Sequence, residues 1–521
     1  MKKVFLYFGF LMIFIIPCSS QNTGYENPVI SGFYPDPSVC RVGKDYYLVN
    51  STFQFFPGVP IFHSTDLVNW EQIGNCLTRE AQINLKTAST SGGIYAPTIR
   101  YHEGVFYMIT TNVSDKGNFF VWTDNPRGEW SDPVWLEQGS IDPSLFFDNG
   151  KCYMTSGGVS MCEIDPKTGK QLTPSRKIWE GTGGRYPEGS HIYKKDDWYY
   201  LLIAEGGTEY GHQVTISRSR DIYGPYEGNP ANPILTHINR NAQNSPIQGV
   251  GHAELVAAHN GSWWILCHGF RPQAGMHHVL GRETMLVPVT WEKNAWPVAN
   301  GDGTVELEMT CATLPQLPPK EKASKTLFDT GKLGFEWNYL YNPTPSMYSL
   351  NRRAGRLSLK PSTISLDDKG SPTFVGRRQQ HIECIATTSV ELSNCNGDEK
   401  AGLTVYMDNE YHYDLFVKPR KGGKQAVSLY FRLGNLRHTA KELPVPAGKV
   451  YLQVRADKNY YSFYYSVDNI NFNYIDKMNI RFLSSETAGG FTGVYFGMYA
   501  VSSKNTNGYA DFEWFEYKNS D

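Results

Sequence analysis

The sequence Asp36-Pro37-Ser38-Val39 opens the first of five segments that begin alike. The four later segments begin with Ala96-Pro97-Thr98-Ile99, Asp142-Pro143-Ser144-Leu145, Glu188-Gly189-Ser190-His191 and His252-Ala253-Glu254-Leu255. Eleven positions after each opening residue stands an aromatic residue, namely Tyr47, Tyr107, Tyr153, Tyr199 and Trp263. The segments start 60, 46, 46 and 64 residues apart. Strand-rich repeats of this length are typical of the four-stranded blades of a β-propeller.

The repeats extend over residues 27–312 and predict a five-bladed β-propeller. Equivalent positions in the blades of a propeller are related by rotation about a single axis. The opening residues should therefore face one central funnel, and they are Asp36, Ala96, Asp142, Glu188 and His252. Three carboxylates and a histidine would meet there.

The residues after the repeats follow a different pattern. A proline-rich segment at residues 313–325 predicts a linker between two domains. Over residues 326–521, apolar strands such as Ala401–Met407 and Tyr460–Ser466 alternate with turns, which predicts an antiparallel β-sandwich. The whole chain is therefore expected to be all-β, with a five-bladed β-propeller followed by a C-terminal β-sandwich.

The composition excludes one class of partner and favours another. The 521 residues include 49 Lys and Arg against 51 Asp and Glu, a net charge of -2, so the chain lacks the electrostatic footprint of a nucleic-acid-binding protein. Aromatic residues make up 14% of the chain. An aromatic surplus in a β protein is typical of surfaces that stack on flat ligands, of which carbohydrate is the usual one.

The first twenty residues form a predicted export signal. Two lysines precede an apolar run at residues 4–16 and small residues follow it, so residues 1–20 are interpreted as a removable secretory signal. The run is too short to span a bilayer comfortably, and no later segment is long and apolar enough to be a transmembrane segment. We therefore expect an exported, periplasmic protein. Lipidation of Cys18 is the alternative, although Pro17 before it is a poor match to that processing signal.

The other eight cysteines show no metal-ligand spacing and lie mostly in apolar strand patterns. Buried free thiols are the simplest interpretation of such positions. Cys152 and Cys162 could pair across a hairpin, and the sequence leaves that pairing open.

Three converging carboxylates suit the cleavage of a glycosidic bond. That reaction needs one protonated carboxyl group for the leaving oxygen and one ionised carboxylate that activates water or attacks carbon. Like charges in one dry funnel raise one another's pKa and can produce this split. A single Asp-Pro-Ser sequence would be better explained as a turn, in which Asp accepts backbone N–H bonds. Three acids at rotationally equivalent positions favour catalysis over three independent turns.

Six short motifs surround these positions, and they are Phe33–Val39, Gly93–Pro97, Ile141–Leu145, Tyr186–Gly189, Gly251–Glu254 and Gly281–Thr284. Together they resemble glycoside hydrolase family 43 over nearly the whole chain. The resemblance implies that Asp36 is the general base that activates water and that Glu188 is the general acid. It implies that Asp142 raises the pKa of the acid and orients it. Inversion at the anomeric carbon is also implied, with the base and the acid roughly 6.5–9.5 Å apart.

The same resemblance implies roles for four further propeller residues. Arg282 would bind the terminal sugar, Phe53 would form an apolar wall of the sugar subsite, and Tyr95 stands where related sequences often carry Trp. His252 would lie on the axis, where family members often place a histidine beside bound water or a calcium ion. No oxygen-rich loop of calcium spacing accompanies it, so a structural calcium is left open, and the reaction requires no cofactor.

The second domain resembles the concanavalin-like sandwich that accompanies one branch of the family, through Val375–His381 and Gly490–Val494. In that branch a loop of the sandwich reaches over the propeller mouth, and Phe491 is the matching aromatic residue. A partly closed mouth favours removal of one terminal sugar over cutting within a chain. A separate binding module or a stabilising lid is the alternative interpretation of this domain.

The resemblance implies an exo-acting, inverting hydrolase, and overall resemblance, rather than any single residue, favours one that releases terminal α-L-arabinofuranosyl residues from hemicellulose, either xyloglucan or arabinoxylan. A β-D-xylosidase or an enzyme with both activities is the first alternative, because the two sugars present similar hydroxyl patterns. A non-catalytic carbohydrate-binding propeller is disfavoured by the presence of all three acids. A retaining fructan- or sucrose-cleaving enzyme is disfavoured because such enzymes carry an Arg-Asp-Pro motif. The corresponding residues in this chain are Ile141-Asp142-Pro143, without the arginine.

Overall fold

The structure is a computed structural model that describes residues 24–241, 244–273, 275–310, 314, 317, 324–395 and 397–520. The predicted signal, Cys18 and most of the predicted linker lie outside the described residues. Regular structure in the described part is almost entirely β. Its helical turns are the 3-10 turns Pro345–Met347 and Ile480–Leu483 and the α-helical turn Ser485–Ala488. No helix within these ranges is long and apolar enough to cross a membrane.

Five antiparallel sheets form the propeller, and each begins with the strand nearest the axis. Blade 1 consists of Ser38–Val42, Asp45–Val49, Gly58–Ser64 and Glu71–Leu77. Blade 2 consists of Thr98–His102, Val105–Asn112, Gly117–Thr123 and Val134–Trp135. Blade 3 consists of Ser144–Asp148, Lys151–Ser156, Ser160–Ile164 and Arg176–Lys177. Blade 4 consists of Glu188–Lys195, Trp198–Glu205, Gln213–Ser219 and Glu227–Gly228, with Leu235–Thr236 also paired to its third strand. Blade 5 consists of Gln248–Ala257, Trp263–Phe270, Glu283–Thr290 and Val298–Ala299.

The observed blades confirm the predicted repeat. The aromatic residue eleven positions after each opening residue lies in the second strand of its blade in all five cases. The opening residue stands two positions before the inner strand in blades 1 to 3. In blades 4 and 5 the inner strand starts earlier and contains register shifts, one after Glu188 and two between Gln248 and Glu254. The repeat is therefore regular in sequence but locally bulged at the acid of blade 4 and the histidine of blade 5.

Hydrogen bonds between neighbouring inner strands close the propeller into a ring. The five links run from Ile99 N to Ser38 Oγ (3.0 Å), from Arg100 Nε to Leu145 O (2.9 Å), between His191 Nδ1 and Ser144 Oγ (3.1 Å), from Leu255 N to Tyr193 Oη (2.9 Å) and from Val39 N to Glu254 Oε2 (3.1 Å). A further strand pair joins Gly24–Glu26 to Glu308–Thr310. Each inner strand is tied on both sides, which fixes the opening residues around the axis.

Two antiparallel sheets form the second domain. The first consists of Tyr348–Ser349, Leu357–Leu359, Tyr509–Phe512, Cys384–Ser393, Val450–Ala456, Tyr460–Ser466 and Asn473–Asn479, with Lys325–Leu327 and Trp514–Asn519 beside them. The second consists of Thr373–Arg378, Tyr495–Val501, Lys400–Asp408, Tyr411–Arg420, Lys424–Leu433 and Leu436–Val445. A buried apolar cluster draws residues from both sheets, for example Val454 and Leu415, as expected for the predicted sandwich.

The two domains share an apolar core. The propeller strand Phe55–Phe56 pairs with Tyr339–Leu340 of the second domain. Phe55 stacks on Tyr495, with ring centroids 4.1 Å apart, and one buried cluster includes residues of both domains. Such a continuous core disfavours the alternative of a separately tethered binding module.

Arg378 ties the sandwich to the turn before Asp36. Its Nε donates to the backbone oxygen of Phe33 at 2.6 Å. Close by, Gln380 Nε2 donates to the backbone oxygen of Ser31 at 3.1 Å. The second domain therefore supports the segment that carries the first of the three acids.

Cys152 and Cys162 are buried free thiols on adjacent strands of blade 3. Cys152 lies opposite Ile164, and Cys162 lies opposite Met154. The pairing that the sequence left open is therefore absent from this hairpin.

Candidate active site

Asp36 is held by its backbone and by a hydroxyl group at the start of blade 1. Its φ of 54° lies in the left-handed region, which is uncommon for residues other than glycine and recurs at functional sites. Asn50 Nδ2 donates to the backbone oxygens of Tyr34 and Pro35, each at 3.0 Å, and so fixes the preceding turn. Ser51 Oγ donates to Asp36 Oδ2 at 2.5 Å. The carboxylate therefore has a defined orientation before any substrate binds.

Arginine and histidine side chains surround the other carboxylate oxygen of Asp36. Arg282 Nη1 lies 2.6 Å from Oδ1, His268 Nδ1 lies 3.0 Å from it and His252 Nδ1 lies 3.9 Å from it. Burial acts to raise the pKa of Asp36, but the Arg282 charge and the His268 hydrogen bond outweigh it and hold the pKa well below its ordinary value. Asp36 is therefore ionised at neutral pH, as a general base must be.

Glu188 and Asp142 have the opposite electrostatic environment. Burial first, and then the charge of Asp36, raise the pKa of Glu188 to about 7, against the opposing effect of Arg282. Burial first, and then the charges of Glu188 and Asp36, raise the pKa of Asp142 well above its ordinary value. The resemblance implied that Asp142 raises the pKa of Glu188, whereas burial and Asp36 are the leading causes in this structure. Between them the two carboxyl groups retain a proton near neutral pH, as a general acid requires.

The three acids thus differ in protonation although they share one site. Ionised Asp36 could accept a proton from water, and protonated Glu188 could give one to a leaving oxygen. The expected separation of these two carboxyl groups, roughly 6.5–9.5 Å, stays a prediction.

The Gly281–Thr284 motif fixes the site from blade 5. Its side-chain contacts, in addition to the Arg282–Asp36 pair, include Arg282 Nη1 to Thr208 Oγ1 (2.9 Å), Gly32 N to Glu283 Oε1 (2.8 Å) and Thr284 Oγ1 to Tyr34 O (2.8 Å). Arg282 was expected to bind the terminal sugar. Its bond to Asp36 gives it a second effect, which is to keep the base ionised.

Three aromatic rings from distant parts of the sequence form one wall beside Arg282. The ring centroids of Phe53 and Tyr95 are 5.2 Å apart, and those of Phe53 and Phe491 are 5.8 Å apart. The Arg282 guanidinium carbon lies 5.7 Å from the Phe53 centroid and 5.8 Å from the Phe491 centroid. The charges of Asp142, Asp36 and Glu188 act on the Tyr95 hydroxyl, whose pKa is raised chiefly by burial. The wall therefore stands next to the acids, where an apolar sugar face would lie.

A loop of the sandwich places Phe491 in this wall. Gly489 and Gly490 have φ angles of 78° and 77°, a backbone that glycine adopts readily. Phe491 N then donates to Ser91 Oγ at 2.9 Å, and Arg282 Nη2 donates to Phe491 O at 3.4 Å. The second domain thus contributes an aromatic ring to the propeller site.

The Phe491→Ala variant is expected to raise KM for a terminal-sugar substrate about fivefold with little change in kcat, since removing a half-buried ring costs about 1 kcal/mol of binding. The variant removes contact with the bound sugar but leaves the acids in place. Steady-state kinetics on an aryl glycoside would measure both constants. Phe335→Ala, at an exposed phenylalanine of the sandwich, is the matched control. An unchanged KM in Phe491→Ala would contradict the assignment of this ring to the sugar subsite.

His252 lies beside the acids, but its surroundings suit calcium poorly. Its ring stacks on His268 with centroids 5.7 Å apart, and burial lowers its pKa to about 4. Calcium takes oxygen ligands, whereas the carboxylate of the nearby Glu254 already pairs with Arg100 at 2.6 Å. Within the ranges the structure describes, no group of three or more His, Cys, Asp or Glu side chains is placed to hold a metal ion. A structural calcium at His252 stays a prediction that this geometry does not favour.

Sequence reasoning missed His268, which contacts the base directly. The side chain is fully buried, and its Nε2 lies 3.1 Å from His212 Nδ1 and 3.2 Å from Thr208 Oγ1. The signal that could have found it is strand pairing, because His268 lies opposite Gly251 of the predicted motif. Register shifts on both sides of Gly251 hide that relation from a simple residue count.

An ionised carboxylate and a protonated carboxylic acid in one walled site meet the requirement for acid–base cleavage of a glycosidic bond. Held by a five-bladed propeller, they define this protein as a glycoside hydrolase. Family comparison makes the assignment more particular. The family model of glycosyl hydrolases family 43 matches residues 25–297, and that of the β-xylosidase C-terminal concanavalin A-like domain matches residues 325–518. The chain belongs to glycosyl hydrolases family 43, which confirms the resemblance seen in its motifs.

Similar proteins match the chain almost from end to end. A non-reducing end α-L-arabinofuranosidase of Bacteroides ovatus is 42% identical in an alignment of 505 positions that covers 95% of this chain and 94% of that protein. A xylosidase/arabinosidase of Butyrivibrio fibrisolvens is 38% identical in an alignment of 524 positions that covers 94% of this chain and 98% of that protein. The solved structure of a family 43 protein from a xyloglucan PUL of Bacteroides ovatus has a TM-score of 0.91 at 40% identity, covering 95% of this chain and 99% of that chain.

Proposed function

We propose that this protein is an exo-acting, inverting hydrolase that releases terminal α-L-arabinofuranosyl residues from the non-reducing ends of hemicellulose side chains. The observation that carries the proposal is the contrast between two carboxyl groups beside the wall formed by Phe53, Tyr95 and Phe491. Arg282 contacts Asp36 at 2.6 Å and holds its pKa low, whereas burial raises the pKa of Glu188. The similarity to an α-L-arabinofuranosidase over 95% of the chain supports the choice of sugar.

The reaction needs the side chains of this chain and one water molecule. Asp36 accepts a proton from the water molecule as the oxygen of that water attacks the anomeric carbon. Glu188 donates its proton to the glycosidic oxygen as the bond between that oxygen and the anomeric carbon breaks. Asp142 orients the acid and helps to keep the shared proton in the site. Arg282 orients Asp36 and the sugar hydroxyls, and no cofactor or metal takes part in any step.

A β-D-xylosidase, or an enzyme with both activities, is the second candidate. It is supported by the similarity to a xylosidase/arabinosidase over 94% of the chain. Both terminal pentoses would present comparable hydroxyl groups to the same wall, so a few contacts would decide between them.

The polysaccharide and the compartment are part of the same proposal. Similarity to a protein from a xyloglucan PUL favours xyloglucan side chains over arabinoxylan. The predicted signal at residues 1–20 supports export to the periplasm. Mass spectrometry of the mature N-terminus would distinguish cleavage after Ser20 from lipidation of Cys18.

The proposal is tested with 4-nitrophenyl α-L-arabinofuranoside and 4-nitrophenyl β-D-xylopyranoside. Faster release of arabinose supports the proposal, and faster release of xylose replaces it with the second candidate. Proton NMR of the first product formed decides the stereochemistry, because an inverting enzyme releases the opposite anomer. Binding of hemicellulose oligosaccharides without hydrolysis of either glycoside would contradict an enzymatic function.

A further inference from the structure

The loop that carries the general acid also presents an exposed aromatic ring. Tyr186 stands two residues before Glu188, and 64% of its surface is exposed. Its φ of 54° lies in the left-handed region, where a bulky residue is strained. An aromatic ring that is both strained and exposed beside a reactive group invites a functional explanation.

The loop before Tyr186 is anchored by a buried carboxylate. Glu205 has no exposed surface and accepts hydrogen bonds from Thr182 N at 2.9 Å and Gly184 N at 3.0 Å. Thr215 Oγ1 also donates to it, at 2.6 Å. Because its carboxylate is bound on several sides, Glu205 fixes the approach of this loop to the general acid.

A second loop, which contains Gly206 and Gly207, packs against Arg185 and Tyr186. Two hydrogen bonds join this loop to Arg185. Arg185 Nε donates to Gly206 O at 2.9 Å, and Gly206 N donates to Arg185 O at 2.8 Å. A Cβ placed on Gly207 would lie 3.4 Å from Tyr186 Cδ2, so the backbone runs close under the ring. The next residue, Thr208, binds Arg282 at 2.9 Å. The exposed ring is thus joined through one short loop to the arginine that orients the base.

The position of the general acid decides which sugar lies near Tyr186. Glu188 must reach the glycosidic oxygen, which belongs to the leaving group after cleavage. The leaving sugar therefore lies along the loop that carries Glu188. The sugar to be released lies against the wall of Phe53, Tyr95 and Phe491, which is built from other segments.

We infer that Tyr186 is the stacking platform for the leaving sugar, the neutral pyranose residue of the oligosaccharide to which the released sugar is attached. The apolar face of a pyranose ring would lie on the exposed tyrosine, as sugars commonly pack on aromatic rings. The Arg185 guanidinium carbon lies 5.5 Å from the Tyr186 ring centroid, and Arg185 pairs with Glu209 at 3.3 Å. The pair would supply a donor and an acceptor for the hydroxyl groups of the sugar without net charge. This inference rests on the proposed hydrolysis and assigns the leaving-group side of the same site.

The test compares wild type, Tyr186→Ala and Tyr186→Phe on two substrates. One is an arabinofuranosyl-substituted xylo-oligosaccharide, and the other is α-L-arabinofuranosyl fluoride, whose leaving group is too small to reach the ring. Tyr186→Ala should raise KM for the oligosaccharide about tenfold, the size expected for loss of one aromatic contact, and should leave hydrolysis of the fluoride unchanged. Tyr186→Phe keeps the ring and should behave like wild type on both. Tyr474→Ala, at an exposed tyrosine of the sandwich, is the control for loss of a surface ring.

Two results would overturn the inference while the proposed function stands. One is an unchanged KM for the oligosaccharide in Tyr186→Ala. The other is an equal loss on both substrates, which would mean that Tyr186 acts by supporting the Glu188 loop. Xylobiose and β-D-xylosyl fluoride are the corresponding pair of substrates for the second candidate function. If wild type cleaves none of the four substrates, the proposed function fails and the inference fails with it.

Discussion

The Asp36→Asn variant is expected to lose about 10⁴-fold in kcat/KM on 4-nitrophenyl α-L-arabinofuranoside, the upper range for removal of a general base. Asparagine has nearly the same shape, so the contacts of Ser51 and Arg282 can largely persist. An amide oxygen cannot take the proton of the attacking water at neutral pH. The loss should be equally large for good and poor leaving groups, because every substrate needs the same activated water.

The control for this variant is Asp329→Asn, which removes one carboxylate from an exposed position of the sandwich. It should retain wild-type kinetics. Isothermal titration calorimetry should show that Asp36→Asn still binds the oligosaccharide, which would separate lost chemistry from lost folding. Activity of Asp36→Asn within tenfold of wild type would mean that another group activates the water.

The sequence repeat was sufficient to predict that the three acids converge. Rotational equivalence of the blades places Asp36, Asp142 and Glu188 together without knowledge of any side-chain contact. It was not sufficient to predict their protonation. Mutual repulsion alone would raise all three pKa values, and it does act on Asp142 and Glu188. Asp36 departs from that expectation because Arg282 and His268 stand beside it.

The groups that repeat analysis could not place come from outside the repeated positions. Phe491 belongs to another domain, and the family resemblance alone pointed to it. His268 sits in an ordinary apolar strand, Cys267-His268-Gly269, and its place opposite Gly251 depends on a bulged pairing. Both depend on long-range packing, which has no fixed spacing in the sequence.

The Glu188→Gln variant should show a loss that depends on the leaving group. On an arabinosylated oligosaccharide, whose leaving alcohol needs a proton, kcat/KM should fall about 10³-fold, within the usual range for general acid catalysis. On 4-nitrophenyl α-L-arabinofuranoside the phenolate leaves without a proton, so the loss should be about tenfold or less. Glu129→Gln, at an exposed glutamate of blade 2, is the matched control and should match wild type on both substrates.

The pH profile provides an independent readout of the same residue. Cleavage of the oligosaccharide by wild type requires protonated Glu188, whose pKa is raised to about 7 by burial and by the charge of Asp36. Below that pH the acid keeps its proton, so kcat/KM should be high there and should fall as the pH rises through about 7. Glutamine has no proton to lose, and the alkaline limb should therefore disappear in Glu188→Gln. An alkaline limb that persists unchanged in the variant, or an equal loss on both substrates, would assign the general acid to another group, with Asp142 as the first to examine because it shares the proton.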